Sequence, residues 1–241
     1  MLSKSLTAAA LGALLIAAPA ANAAVTVVSG PTPGSTTATF TPAPGTNTAV
    51  LNFNGFSGNG GPTIPNLTAQ LSLSLLGVAG NSYKFGYVLT NTSSAPISSR
   101  ISIFGFNANP NFASVSNITG AFGMLSSGNQ PNGLPNLEFC LRTGNGGQCS
   151  GGGGGGLTNS QSANGGFWLN FNSPQTSLAL SDFSVRYQSV AGAGNVTSAS
   201  GVPFGLVPEP ATWAMMILGF GLIGGALRSR KATTATRVTY A

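Results

Sequence analysis

The chain has 241 residues and a formal net charge of +6, yet only 5% of its residues are charged and it contains no histidine. It therefore lacks the commonest general base, the commonest metal ligand and the usual partner of a nucleophilic Ser or Cys, which excludes much of enzyme chemistry. The positive charge sits at the ends: Lys4, Arg228, Arg230, Lys231 and Arg237 flank a middle in which Lys84, Arg100, Arg142 and Arg186 stand against Glu138 and Asp182, a net +2 without a cluster. A phosphate-binding groove needs several cations on one face, so no nucleic-acid partner is expected.

In chain order, Lys4, the apolar run Leu6–Ala18 and the small residues Ala21 and Ala23 read as a signal peptide over 1–23, cleaved after Ala23. Everything between this segment and the C-terminal apolar stretch is then expected outside the inner membrane. Residues 24–48 are dominated by Pro, Gly, Ser and Thr with weak periodicity, which predicts a flexible leader or an edge strand.

From Ala49 the pattern turns to a period of two. Leu67, Ala69, Leu71, Leu73 and Leu75 alternate with polar residues, and Tyr83, Phe85, Tyr87 and Leu89 alternate again after the turn signal Gly80-Asn81. This predicts a hairpin. Further strands are expected over 49–56, 97–106, 137–141, 167–171 and 178–190, with turn chemistry between them. Many short alternating strands without an amphipathic helix predict an all-β fold: one antiparallel β-sandwich of jelly-roll type over 49–206, followed by one C-terminal transmembrane helix.

Within this domain the chemistry is sparse. Glu138 and Asp182 are its only carboxylates, and a glycosidase would need two that face each other. Each has an arginine four residues on, Arg142 and Arg186, so ion pairs are the expected use; no catalytic residue, metal ligand or cofactor is assigned. Cys140 and Cys149 are the only cysteines, lack the Cys-x-x-Cys redox spacing, and in an oxidising compartment are expected to form a structural disulfide. Closing that short loop stabilises by roughly 2.5 to 3 kcal/mol in the chain-entropy account. Gly151 to Gly156 follow without the Gly-Lys-Ser/Thr of a phosphate loop, so a floppy surface loop pinned by the disulfide is expected. In GGFWLNF, Phe167, Leu169 and Phe171 share one face of a strand and Trp168 shares the other with Asn170. If the phenylalanines face the core, Trp168 either faces outward, where with Asn170 it offers a glycan contact, or is covered by a loop or sheet.

The C-terminal stretch is the most distinctive. Pro208 and Pro210 force an extended or turned backbone around Glu209, and 211–227 then runs uncharged for about 25 Å if helical, close to a hydrocarbon core. Arg228, Arg230 and Lys231 follow, placing that end on the cytoplasmic side with 232–241 as a cytoplasmic tail. Pro208, Glu209, Pro210, Trp213, Ala214, the apolar span and the basic cluster of 207–231 stand in the order of the PEP-CTERM sorting signal, in its PEPxxWA variant, and resemble it closely. The resemblance implies that a membrane-embedded exosortase recognises the tripeptide, removes the anchor and releases or transfers the protein. Phe104–Phe112, the cysteine pair, the hexaglycine and Asp182–Val190 resemble the cistern family of PEP-CTERM proteins, which implies the cysteine pair as a family feature and no particular activity. Together these features predict a membrane-anchored precursor that ends at the cell surface or outside. The composition makes a structural, non-enzymatic matrix protein the expected role, with a carbohydrate-binding module as the alternative, and the resemblance to PEP-CTERM proteins implies the link to exopolysaccharide or biofilm.

Overall fold

The computed structural model describes residues 25–29, 35–42, 47–146, 148–151, 154–204 and 217–221. The hairpin read from the sequence is its backbone: β4 (Ala69–Ala79) and β5 (Ser82–Asn91) pair antiparallel, from Ala69 opposite Asn91 to Ala79 opposite Ser82. Gly80 at the turn has φ 63°, a conformation that glycine adopts without steric cost. Around this hairpin a five-stranded sheet runs in the order β3 (Thr48–Phe53), β4, β5, β11 (Ser162–Asn170) and β7 (Ser114–Gly120).

The second sheet has the order β1 (Val25–Val28), β2 (Thr37–Phe40), β12 (Leu178–Ala191), β6 (Ser98–Asn109), β9 (Leu137–Arg142) and β8 (Met124–Gly128). Two short strands extend it, β10 (Leu157–Thr158) on β6 and β13 (Ser198–Gly201) on β12. Of the readings for 24–48, a strand at the edge describes β1, while β2 lies inside the sheet and buries Phe40 and Ala38 completely.

The sheets face each other across an aromatic core. Phe40 of β2 meets Phe85 of β5 edge-on at 5.2 Å, and Phe139 of β9 meets Phe167 of β11 at 4.6 Å, so rings from both sheets interdigitate. Such contacts need one face of each strand to be continuously apolar, which is what the period-two pattern supplies. The sandwich and the antiparallel pairing are thus as the sequence predicts. The likeness to a jelly roll extends to the two-sheet architecture alone, because β3, β4 and β5 follow one another as a meander within one sheet.

The C-terminal end of the domain ties the sheets together. β13 pairs with β12 of the larger sheet, while the same segment bonds to the end of β3: Asn54 N donates to Val202 O at 3.2 Å, Phe56 N to Ser200 O at 2.8 Å, and Phe204 N to Asn52 O at 2.9 Å. Segment 198–204 is therefore a strap across the gap between two sheet edges.

The expected signal peptide, with Ala21 and Ala23, lies outside the described residues. Of the expected anchor 211–227 the structure describes 217–221, which is helical with exposed side chains. No helix among the described residues is long and apolar enough to cross a membrane.

Candidate functional site

The two sheets present different outer faces. On the larger sheet, Cys140 of β9 and Cys149 form a disulfide with Cα atoms 6.0 Å apart, as expected. Both half-cystines are buried with Ile103 and Leu137 in a small apolar cluster of their own, separate from the main core. Cys149 is thus brought back onto the outside of the sheet.

Three arginines donate to the chain around it. Arg142 Nη1 donates to Gly144 O at 2.7 Å, Arg186 Nε to Ser150 O at 3.1 Å, and Arg100 Nη1 to Gly155 O. Glycine-rich backbone offers little besides its carbonyls, and a guanidinium carries five N–H donors in a fixed fork, so the two match. Arg186 reaches further, to Ser200 Oγ at 3.3 Å and Ser198 Oγ at 2.8 Å, and so fastens the loop to β13 as well. Burial lowers its pKa to about 10, because the charged form is taken out of water with only neutral partners around it. The loop glycines serve this close approach. A Cβ on Gly151 (φ +95°) would meet Arg186 Cγ at 2.9 Å, and one on Gly156 (φ +121°) would meet the Ile101 carbonyl at 2.5 Å. Gly151 and Gly156 thus lie against the sheet, whereas Gly154 and Gly155 are exposed, and Gly152 and Gly153 of the expected floppy loop lie outside the described residues.

The expected ion pairs are also corrected. Glu138 and Arg142 are four apart on a strand, where a rise of about 3.3 Å per residue separates them by about 13 Å; the four-residue spacing brings charges together on helices, not strands. Among the described residues both carboxylates instead accept from neutral donors. Asn107 of β6 stands between them, donating from Nδ2 to Asp182 Oδ2 at 3.0 Å and accepting at Oδ1 from Glu138 N at 2.7 Å. The amide of Ala108 lies 3.4 Å from Glu138 Oε2. The acids thus gather at one end of this face and the arginines at the other. Among the described residues no group of three or more His, Cys, Asp or Glu could hold a metal ion.

The outer face of the five-stranded sheet differs in kind. Lys84 is the only charged residue in its five strands. Hydroxyls and amides pair across it: Thr48 with Ser74 at 2.7 Å, Gln70 with Asn52 at 3.0 Å, and Thr90 with Ser162 at 2.8 Å. Trp168 stands half-buried on this face, between Lys84 of β5 and Ser116 of β7, while Phe167, Leu169 and Phe171 are buried beneath. Neither a loop nor the second sheet hides the indole completely. Asn170 points the same way and donates to Ser114 Oγ at 3.1 Å and Ser116 Oγ at 3.2 Å, which fixes its amide beside the ring. Gly166 and Gly86 are opposite one another in the next row, and the Leu76 side chain lies over Gly86, where a Cβ would meet its Cδ1 at 2.8 Å. Val50, Leu76 and Val88, all at least 45% exposed, share this face. Sequence reading singles out Trp168 and Asn170; the Lys84 neighbour and the glycine row become visible only through pairing across strands.

Residues 206–231 match the family described as the PEP-CTERM protein-sorting motif. The chain carries a PEP-CTERM sorting motif. The PEP-CTERM match spans Pro208, Glu209, Pro210, Trp213, Ala214, Arg228, Arg230 and Lys231, which lie outside the described residues. It makes this an exported protein, sorted and processed at the membrane by an exosortase. The chain matches no curated protein and no solved structure. Only Gly205 separates the last bonded residue of the strap, Phe204, from the start of the PEP-CTERM match, so the folded domain reaches almost to the sorting signal.

Proposed function

We propose that this is a structural protein of the bacterial cell surface or extracellular matrix, without enzymatic activity, that associates with exopolysaccharide. Its precursor loses the signal peptide after Ala23, is held by a span over 211–227, and is cut near Pro208–Pro210. The observation that carries the reading is the outer face of the five-stranded sheet: broad, nearly uncharged, and studded with hydroxyls and amides around Trp168. Such a face suits a neutral hydrated polymer, recognised by stacking and hydrogen bonding, with Lys84 its one charged group. The clasped arginines and the carboxylates held by Asn107 are committed to the fold, which supports a non-catalytic domain.

The placement of Trp168 beside the fixed Asn170 amide favours a second reading, a dedicated carbohydrate-binding module. Incubating the purified protein with immobilised host exopolysaccharide and with an array of defined oligosaccharides separates the two. Retention by the polymer without selective oligosaccharide binding supports the matrix role, selective binding supports the module, and no retention by either removes both. Sorting is tested with a periplasmic reporter fused to Val207–Ala241. A shift in size and location that requires the exosortase is expected; identical size and location with and without the enzyme would overturn the processing scheme.

A further inference from the structure

A concave site lies away from the Trp168 face. A cavity of about 280 Å³ opens between the loop that follows β3, the loop joining β8 to β9, and the strap after β13. Its size is near the lower end for small-molecule sites. The walls are pinned. Asn132 adopts a left-handed φ of 64°, accepts from Gly58 N at 3.2 Å and donates to Ser200 Oγ at 3.0 Å, so its side chain staples one loop to the other and to β13. Gly133 follows with φ 75°, and its missing side chain leaves room for Asn59, which would otherwise collide with it.

The lining is amphipathic and carries no charge. Phe56, Val202 and Leu134 supply apolar surface. Asn54, Asn59 and Thr63 supply polar groups. Asn54 spends Oδ1 on Val202 N at 3.3 Å, but among the described residues its Nδ2, the whole Asn59 amide and the Thr63 hydroxyl have no hydrogen-bond partner. One cavity thus offers an aromatic edge, aliphatic walls and several unspent donors and acceptors, without a cation for an anion or a carboxylate for a metal or amine. We propose that this cavity binds one neutral saccharide unit, its apolar face against Phe56 and its hydroxyls on Asn54, Asn59 and Thr63. The small apolar area and solvated amides imply affinity on the order of millimolar. The site shares no residue with the Trp168 face and does not rest on the polysaccharide reading of that face.

The test is amide chemical-shift titration of the isotope-labelled protein recovered from exporting cells, with D-glucose, D-galactose, N-acetylglucosamine and D-glucuronate as probes. At least one neutral sugar is expected to shift the Asn59, Gly60, Gly61 and Thr63 signals saturably, with glucuronate binding no better. Asn59→Leu and Thr63→Val, which leave the Asn132 staple intact, should each weaken the response about tenfold with unchanged melting temperature, whereas Trp168→Ala should leave it unchanged. Failure of every neutral sugar to shift these signals would overturn the proposal. So would undiminished shifts in both cavity variants, or preference for glucuronate. Loss of the response in Trp168→Ala alone would assign binding to the sheet face and equally overturn it.

Discussion

The outer faces of the two sheets put their polar residues to opposite uses. On the larger sheet Arg100, Arg142 and Arg186 donate to the carbonyls of one glycine-rich loop, and Asn107 engages Glu138 and Asp182. On the five-stranded sheet nothing charged except Lys84 is present in the strands, and hydroxyls and amides pair with one another at the surface. In a chain with so few charges, those present are spent on covering one face, while the other is left open and neutral. The difference suggests that the covered face maintains the fold and the bare face meets the surroundings.

The largest test of this contrast is removal of the disulfide. Cys140→Ala with Cys149→Ala opens the base of the clasped loop and should cost roughly 2.5 to 3 kcal/mol of unfolding free energy in denaturant titration, given a loop of about ten residues. Trp168 emission in the native state should not change, because the loop covers the opposite face. Arg186→Ala should cost somewhat less, about 2 kcal/mol. Recovering the cost of a guanidinium buried among neutral partners offsets part of the loss, but the Ser150 carbonyl and two serine hydroxyls lose their donor.

Smaller and opposite in sign is the effect expected at Tyr187. Its side chain is fully buried, and among the described residues its hydroxyl has no hydrogen-bond partner; burial accordingly raises its pKa well above that of a free tyrosine. Tyr187→Phe removes a desolvated, unsatisfied group and should stabilise by about 1 kcal/mol, read as a higher melting temperature. Equal or lower stability would show that this hydroxyl finds a partner in solution. On the bare face, Trp168→Ala should cost no more than about 1 kcal/mol, because the indole is only half-buried, yet should abolish retention on exopolysaccharide.

Where one face is wet and the other dry, the sequence speaks clearly. β4 and β5, with Leu71, Leu73, Tyr83 and Phe85 inward and serines or glycine outward, are legible almost residue by residue. β7 and β8 are not, since SVSNITG and MLSSG are largely polar and lie at the ends of their sheets, where one neighbour is enough. β2 is hidden in a segment rich in Pro and Thr, and only the burial of Phe40 against Phe85 marks it as interior. The sorting motif is fully legible because a processing enzyme reads it as linear sequence. The arginine clasp is not: Arg142 reaches only two residues on to Gly144, but Arg100 to Gly155 and Arg186 to Ser150 join residues that nothing local in the chain brings together. Trp168 falls between these cases, its outward direction given by alternation and its neighbours Lys84 and Ser116 set by register.

The most direct test of the bare face as the working surface is tryptophan fluorescence of the exported, processed protein. The proposed processing near Pro208–Pro210 would remove Trp213 and leave Trp168 as the one indole of the two in the chain. Addition of host exopolysaccharide should shift its emission to shorter wavelength and protect it from acrylamide quenching, both saturably. Emission and quenching unaltered at saturating polysaccharide would contradict the account.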